Sequence, residues 1–416
     1  MTINLRPHQQ RAFDAMQANN AGQIVIPTGG GKTYVMIADC LHQLNNNGAQ
    51  TIVVVAPRIL LANQLCEEFM QFVSGTWAHV AHCHSGETQY FSSTKSDKIA
   101  LFNNTARAAG ESCIIFTTYH SLGRVVDSGI NIDTIYFDEA HNGCGRSHFK
   151  ALFATAQYAQ RRYYFTATPR QGRGVNKDRG MNNSSVWGTV LENVKAQELI
   201  ESGAIVPPKV VPFETDRVRN KVNAHMVDAE NLKDMFEQLD TLQNPKVLVA
   251  APSSKVLGNM LANTDIISYF EEAGYDVLHI TSKFGAIING TKVGREQFFQ
   301  TLTEWGADDD RKFVIFHYSI LSEGINVPGL THTILLRNLP IIEMAQTIGR
   351  VIRVHKDDRA AVTQGLIPAG AFHLYRKKEG IVTMPTGYKM GDAIAKRLQN
   401  VVNAIFIEGI PPMAFV

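Results

Sequence analysis

Short apolar runs alternate with helix-forming segments through most of this chain of 416 residues. The runs are rich in Val, Ile and Phe and lack polar alternation, which is typical of strands that a parallel sheet buries on both faces. They lie at 22–27, 51–57, 113–119, 134–141, 163–169, 246–252, 277–281, 312–318 and 333–338. Because strands and helices alternate, the connections are expected to be βαβ units. The pattern therefore predicts an α/β fold with mostly parallel sheets flanked by helices.

The alternation is interrupted between residues 170 and 208. The segment RQGRGVNKDRGMNNSS at 170–185 is polar and rich in glycine, which predicts a loop. Pro207 and Pro208 follow a short helical pattern and separate two halves of similar length and strand content. A chain of this length has room for two or three domains of about 150 residues. We expect two tandem domains, residues 1–206 and 207–416, with a ligand cleft between them.

Composition excludes several classes of protein. Hydrophobic residues make up 44% of the chain and charged residues 19%, which excludes a disordered chain. No apolar run approaches the roughly 20 residues of a membrane span, and the first ten residues lack the apolar segment of a signal peptide. The five cysteines form no CxxC pair, which is typical of a reduced compartment. We expect a cytoplasmic protein without membrane association, and a net charge of +2 leaves room for local nucleic-acid binding.

A glycine-rich turn follows the first apolar run. The sequence IPTGGGKT at 26–33 lies between a predicted strand and a predicted helix, which is where a phosphate-binding loop occurs. Backbone N–H groups of such a loop bind phosphate oxygens, Lys32 would bridge the β- and γ-phosphates, and the Thr33 hydroxyl would bind Mg²⁺. The candidate nucleotide-binding residues here are Thr28, Gly29, Gly30, Gly31, Lys32 and Thr33. The alternative is a glycine-rich turn with an incidental lysine.

Two adjacent carboxylates end the apolar run at 134–141. The sequence TIYFDEAH would deliver Asp138 and Glu139 to the carboxyl end of a strand, where open α/β sheets bind ligands. Asp138 would hold Mg²⁺ through water, and Glu139 would orient and deprotonate the attacking water. Alone, this pair is more often a solvated strand end. After a phosphate loop it becomes the expected partner of Lys32.

A third motif, QTIGRVIR, lies at 346–353. Arg350 and Arg353 are three residues apart, so on a helix both would face the same way. Two guanidinium groups could neutralise the charge on a transferring γ-phosphoryl group, and Gln346 could position the water. The alternative for this segment alone is a basic surface helix.

Together the three motifs resemble the superfamily 2 helicases and translocases of the DEAH-box type, and the resemblance covers nearly the whole chain. It implies two tandem RecA-like domains with ATP in the cleft between them. Within the superfamily, LRPHQ, ELIESGAIVPP, SEGINVPGL and QTIGRVIRVH are most similar to UvsW-like phage helicases and the XPB-like group. That likeness implies a bacterial cell or a phage-infected host as the source.

The resemblance also implies roles for further residues. Arg6 and Gln9 would contact the adenine base, and Gly324 and Asn326 would lie near the nucleotide. The residues implied to couple the ATP state to the grip on nucleic acid are His141, Thr166 and Thr168. The residues implied to contact nucleic-acid phosphates are Arg58, Thr117, Thr118, Ser253, Ser254, Lys255 and Ser319. The alternative for each of these phosphate contacts is a loop cap or a turn residue.

We therefore expect a helicase or translocase that requires ATP and Mg²⁺ and acts on nucleic acid, with DNA favoured over RNA. Opening and closing of the two domains would drive unwinding, strand annealing or remodelling of branched DNA. The motor is expected to work as a monomer, with replication or recombination proteins as candidate partners. Three alternatives remain: an RNA-remodelling helicase, a duplex-DNA translocase that serves a nuclease or restriction partner, and a nucleotide-switched scaffold that ignores nucleic acid.

Overall fold

The computed structural model describes residues 3–239, 244–281, 283–318, 327–412 and 414–416. The chain forms two compact units, of which the first comprises Met1–Lys195 and Pro411–Val416 and the second Ala196–Ile410. The division precedes the boundary expected at residues 206 and 207, because the helix at Ala196–Glu201 belongs to the second unit. Within the described residues, no helix is both long and apolar enough to cross a membrane.

The first unit contains a sheet of eight strands in the order β4-β3-β5-β2-β6-β7-β1-β9, and every neighbouring pair is parallel. The strands of this unit in chain order are β1 (Ala21–Val25), β2 (Thr51–Ala56), β3 (His79–Cys83), β4 (Phe91–Ser92), β5 (Cys113–Thr118), β6 (Thr134–Phe137), β7 (Arg161–Thr166), β8 (Arg170–Gln171) and β9 (Thr189–Asn193). The helices are α1 (Pro7–Ala18), α2 (Lys32–Asn46), α3 (Ile59–Val73), α4 (Ser96–Ala108), α5 (Leu122–Asp127), α6 (Arg146–Tyr158) and α7 (Ser184–Trp187).

The second unit contains a second eight-stranded sheet, in the order β10-β17-β16-β11-β15-β12-β13-β14. Its strands are β10 (Pro208–Glu214), β11 (Lys246–Ala250), β12 (Asp276–Thr281), β13 (Gly285–Ile288), β14 (Thr291–Val293), β15 (Phe313–His317), β16 (His332–Leu335) and β17 (Gly380–Thr386). Its helices are α8 (Ala196–Glu201), α9 (Ala224–Glu237), α10 (Ser254–Asn263), α11 (Ile266–Glu272), α12 (Arg295–Ala307), α13 (Ile341–Val351), α14 (Lys356–Thr363) and α15 (Lys389–Val402). The pairs are parallel except for β12–β13 and β13–β14, which are antiparallel.

The last residues of the chain return to the first unit. Strand β18 (Ala414–Phe415) pairs in parallel with β8, and the Asn176 side-chain amide donates to the carbonyl of Val416 at 2.9 Å. The guanidinium of Arg173 lies over the ring of Phe415, 3.6 Å from its centroid. The segment at 170–185, predicted as a loop, therefore carries β8 and the short helix α7 and supports the returning tail.

The buried strands of each sheet confirm the α/β expectation. Every residue of β2 and β5 is buried, as the absence of polar alternation predicted. On one face of the sheet, Val53 and Val55 of β2 and Cys113 and Ile115 of β5 share a core with β6 and α7. In a parallel sheet the carboxyl ends of the strands share one edge. The segments that follow β1, β2, β5, β6 and β7 therefore come together there.

Candidate functional site

The glycine-rich turn joins β1 to α2 as the sequence predicted. Gly31 precedes the first helical residue and has φ 81°, a left-handed conformation that glycine adopts without strain. A Cβ at this position would collide with Nε2 of Gln9. Because Gly31 has no side chain, no side-chain oxygen caps the helix, so the N–H groups of its first turn face the loop. This is the arrangement of an anion-binding helix N-terminus.

Two side chains of α1 support the turn from below. Nε2 of Gln9 donates to the carbonyls of Gly30 at 3.1 Å and Gly31 at 3.3 Å, and Oε1 accepts from the backbone N–H of Arg6 at 2.9 Å. Nε2 of His8 lies 2.8 Å from the same Gly30 carbonyl. His8 was not predicted, although it is part of the LRPHQ motif. The structure gives Gln9 a role in holding the loop, and the adenine contacts of Arg6 and Gln9 stay predictions.

Asp138 and Glu139 follow β6 at the shared edge of the sheet. The backbone N–H of Asp138 donates to the carbonyl of Val55 at 2.8 Å, which continues the pairing of β6 with β2. The carbonyl of Asp138 accepts from the Tyr119 hydroxyl at 2.9 Å. The turn then reverses at Glu139, where φ is 45°. Oε1 of Glu139 lies 3.2 Å from Nζ of Lys32, so the carboxylates and the glycine-rich turn meet.

The surroundings of Asp138 change its acidity. Burial, followed by the nearby charge of Glu139, raises the pKa of Asp138 to about 7, against an opposing effect of Lys32. Two neighbouring carboxylates that resist joint ionisation are stabilised by a cation. With the Thr33 hydroxyl on the first turn of α2, the Asp138 carboxylate provides the hard oxygen ligands that Mg²⁺ prefers. The residues present therefore fit a magnesium ion.

His141 connects the segment after β6 with the segment after β7. Its Nδ1 lies 3.1 Å from Oγ1 of Thr166 and 3.1 Å from Oγ1 of Thr168, and 3.6 Å from Oε2 of Glu139. Pairing of β1 with β7 also sets the backbone N–H of Ile26 3.0 Å from the Thr166 carbonyl. The structure thus brings together the three residues predicted to couple ATP to nucleic acid. Their coupling role stays a prediction.

The predicted nucleic-acid residues of the first unit differ in their exposure. Arg58 is partly exposed at the N-cap of α3, a position suited to phosphate. Thr117 is fully buried, and its hydroxyl donates to the carbonyl of Cys83 at 2.9 Å. Thr118 is 4% exposed, and its hydroxyl accepts from the backbone N–H of Ser121 at 3.2 Å. Both threonine hydroxyls therefore have internal partners.

In the second unit, Ser253, Ser254 and Lys255 lie at the start of α10. The Ser253 hydroxyl caps the helix by accepting from the backbone N–H of Val256 at 3.1 Å. Lys255 is exposed in the first turn. The predicted residues Ser319, Gly324 and Asn326 lie outside the described residues.

The pair Arg350 and Arg353 does not share a helix face. Helix α13 contains Gln346 and Arg350, both buried, and ends at Val351. Arg353 follows in an extended segment that forms an antiparallel bridge with Ile205, while the Ile352 carbonyl accepts from the N–H of Val206 at 2.8 Å. The expectation from helical spacing is wrong, because these tertiary bonds end the helix before Arg353.

A histidine that the motifs did not indicate lies close to Arg350. His317 is 1% exposed at the end of β15, and neither of its ring nitrogens has a hydrogen-bond partner among the described residues. Burial, together with the charges of Arg350 and Arg337, lowers the pKa of His317 to about 3. The side chain is therefore neutral at ordinary pH.

Comparison with known families and structures bears on this arrangement. Residues 2–171 match the family described as "Type III restriction enzyme, res subunit". No curated protein sequence matches the chain. The matched segment includes the glycine-rich turn and both carboxylates.

Several solved structures are similar in fold. The ATP-dependent Type ISP restriction-modification enzyme LlaBIII bound to DNA has a TM-score of 0.70 and 15% identity, with 100% of this chain and 31% of that chain covered. A putative HsdR subunit of a type I restriction enzyme from Vibrio vulnificus has a TM-score of 0.61 and 16% identity, with 99% of this chain and 68% of that chain covered. S. cerevisiae Dbp5 bound to RNA and ADP BeF3 has a TM-score of 0.57 and 15% identity, with 99% of this chain and 90% of that chain covered.

These likenesses confirm the fold class: two RecA-like α/β units, each with a sheet flanked by helices. The chain spans about a third of the length of the Type ISP enzyme.

Proposed function

We propose that this chain is an ATP-dependent DNA translocase that works with a nuclease or restriction partner. The observation that carries the proposal is the contact of Lys32 with Glu139, which joins the glycine-rich turn to the adjacent carboxylates Asp138 and Glu139. The match of residues 2–171 to a restriction-enzyme family, and the fold shared with restriction enzymes, support DNA translocation over the other motor activities.

In this proposal, residues of the first unit bind and orient a nucleoside triphosphate. Lys32 and the N–H groups at the start of α2 would hold the β- and γ-phosphates, and Glu139 would take the proton of the attacking water. Mg²⁺, when bound through Thr33 and Asp138, would supply positive charge to the phosphate oxygens.

The second unit would complete the reaction. Gln346 would position the water, and Arg350 and Arg353 would neutralise the γ-phosphate when the two units close on ATP. Repeated closing and opening would then move the motor along DNA. Gln346 and Arg350 lie on the same helix, α13, which supports their joint role. Arg353 lies beyond the end of α13, so contacts outside this helix must fix its position.

The kind of DNA remodelling and the cellular location are narrower assignments, and both rest on sequence motifs alone. The likeness to the DEAH-box type, to UvsW-like phage helicases and to the XPB-like group would favour unwinding, annealing or remodelling of branched DNA. It would also place the protein in the cytoplasm of a bacterial or phage-infected cell. An RNA-remodelling activity is an alternative to DNA translocation, and the fold shared with Dbp5 is compatible with it.

ATP turnover with a panel of nucleic acids tests the proposal. The panel contains single strands, duplexes, forks and four-way junctions of DNA, and the same forms of RNA. Duplex DNA should stimulate turnover most strongly. On a duplex that carries a triplex-forming third strand, ATP should release the third strand while the duplex strands stay paired.

Other outcomes would replace the proposal with a named alternative. Stimulation by RNA alone would indicate an RNA-remodelling motor. Efficient separation of forked or junction strands would indicate a helicase that acts on branched DNA. Nucleotide binding without stimulation by any nucleic acid would indicate a nucleotide-switched scaffold.

A further inference from the structure

A buried lysine joins two of the motif segments of the second unit. Lys377 is 5% exposed, and its Nζ donates to the carbonyl of Leu330 at 2.6 Å and to the carbonyl of Arg353 at 2.9 Å. Leu330 directly follows the SILSEGINVPG segment at 319–329, and Arg353 is the last residue of QTIGRVIR. One side chain thus bonds the residue that follows the first segment and the last residue of the second.

The backbone of Lys377 is itself fixed. Asp358 of α14 is 4% exposed and accepts the N–H of Arg376 at 2.7 Å through one oxygen and the N–H of Lys377 at 3.0 Å through the other. The segment before β17 is therefore tied to α14. The lysine cannot leave its two carbonyls without breaking this connection or changing its rotamer.

The chemistry of the side chain suits a fixed bridge. Burial, the nearby charge of Arg353 and an opposing effect of Asp358 lower the pKa of Lys377 to about 7. An amino group in such a site donates to carbonyl oxygens at a smaller desolvation cost than a permanent charge. Little of Lys377 is in contact with solvent, because only 5% of the residue is exposed.

Arg353 needs such a support because helix α13 does not reach it. The helix ends at Val351, so the carbonyls of its last turn and of the residues that follow lack intrahelical partners. The carbonyl of Ile352 is satisfied by Val206, and that of Arg353 by Lys377. The direction in which the Arg353 side chain leaves the backbone is therefore set by these two contacts.

We infer that Lys377 is a positioning residue of the motor, which holds the backbone of Arg353 and of Leu330 in register for the closing step. The inference rests on the proposed ATPase function. Arg353 would act on charge that develops only during phosphoryl transfer, so a loss of its position should lower kcat more than it raises KM for ATP.

Replacement of Lys377 by methionine tests this role, since methionine keeps most of the side-chain volume and removes the donors. In Lys377→Met we expect DNA-stimulated kcat to fall at least tenfold, with KM for ATP within threefold of the wild type. Hydrogen exchange of backbone amides in peptides that cover 350–355 should become faster, and this readout does not depend on activity.

Two matched controls separate positioning from general damage. Lys246 is also buried, and its Nζ donates to the carbonyls of Gly306 at 2.9 Å and Asp308 at 2.6 Å, neither of which belongs to the QTIGRVIR segment. Lys246→Met should leave exchange at 350–355 unchanged and reduce kcat less than threefold. Lys378→Met changes the exposed neighbour and should behave as the wild type.

If Lys377→Met fails to fold, Asp358→Asn replaces it. This change removes one of the two acceptors that fix the Arg376–Lys377 backbone, and it should give the same kcat loss and the same faster exchange at 350–355. Wild-type kcat in a folded Lys377→Met or Asp358→Asn protein, or an equal loss in Lys246→Met, would overturn the inference. Absence of ATP turnover in the wild type would instead remove the proposed function, and the exchange experiment would still decide whether Lys377 positions Arg353.

Discussion

Glu139 has a backbone conformation that side-chain-bearing residues rarely adopt. Its φ of 45° lies in the left-handed region, which costs on the order of 1 kcal/mol for a residue other than glycine. The Asn142 amide donates to the Glu139 carbonyl at 2.9 Å and helps to hold the turn. The conformation aims the carboxylate at Lys32. Local strain that persists beside a cluster of charged groups is typical of a functional site.

Replacement of Glu139 by glutamine tests the base assignment. Glutamine keeps the size and the polarity of the side chain but cannot accept the proton of the attacking water. We expect ATP turnover to fall about 10²–10⁴-fold while binding of ATP is retained. Steady-state turnover and equilibrium binding of a fluorescent ATP analogue measure the two effects.

Two further variants complete this experiment. Lys32→Ala should lose turnover together with phosphate binding, and Glu67→Gln, which changes an exposed glutamate on α3, should leave both unchanged. Full turnover in Glu139→Gln would refute the base assignment.

Buried polar contacts connect helix α2, which begins with Lys32, to strands β6 and β7. Asp39 of α2 is fully buried and accepts from the Tyr136 hydroxyl of β6 at 2.6 Å. Its two oxygens also accept from the guanidinium of Arg161, at the start of β7, at 2.8 and 3.0 Å. A bidentate pair of this kind fixes orientation as well as distance. It therefore determines where α2 presents Lys32.

Loss of this pair should destabilise the first unit. We expect Asp39→Ala to lower the free energy of unfolding by about 3–5 kcal/mol, because the largely buried guanidinium of Arg161 would lose its only carboxylate partner among the described residues. Urea denaturation monitored by circular dichroism measures the change. Lys209→Ala, which breaks the exposed pair with Glu379, should cost less than about 1 kcal/mol and serves as the control. Similar losses in both variants would contradict the structural role of Asp39.

Sequence patterns predicted the elements of the site better than its periphery. The strands with continuous Val, Ile and Phe were predicted because burial on both faces leaves a strong pattern. Strands β10 and β17 were not, since both contain prolines, and β10 alternates in burial at the edge of its sheet, where proline is tolerated. The end of α13 was not predicted either, because tertiary bonds to Ile205 and Val206, and not a glycine or proline, end that helix.

Among the site residues, the pattern showed which side chains matter but not what supports them. The contact of Lys32 with Glu139 agrees with the prediction, which paired the glycine-rich turn after one strand with the two carboxylates after another. Both segments follow the carboxyl ends of parallel strands, which share one edge of the sheet. His8, Tyr119 and Lys377 were missed, because a buried side chain that bonds a backbone carbonyl has no fixed spacing from its partner.

Each of the two units contains buried histidines, and folding lowers the pKa of their side chains, so that they stay neutral. Burial lowers the pKa of His82 in the first unit to about 4, and those of His317 and His332 in the second unit to about 3 and 4. The usual value of a histidine in an unfolded chain is about 6.5. Between these values the unfolded chain binds protons that the folded chain does not, so stability falls as the pH falls.

The three histidines should therefore lower stability when the pH falls from about 6.5 towards 4, on the order of 1 kcal/mol per pH unit for each. Asp138, whose pKa burial raises to about 7, contributes in the opposite direction, so the net decline comes from the excess of histidines. Denaturant unfolding of the wild type at pH 7.5, 6.5 and 5.5 measures the slope. His317→Met removes one titrating group whose ring nitrogens have no partner among the described residues, so its slope should be smaller and its stability at pH 7.5 should not be lower. An unchanged slope in His317→Met would contradict the assignment of His317 as a buried neutral group.

Because β18 pairs with β8, the polypeptide passes from one unit to the other at Lys195–Ala196 and back again at Ile410–Pro411. The two units are therefore linked twice, once by the continuous backbone at Lys195–Ala196 and once by the return of the last strand to the first unit. A protease that cuts after Lys195 would leave two fragments that the pairing of β18 with β8 still joins, so the fragments should co-migrate under native conditions.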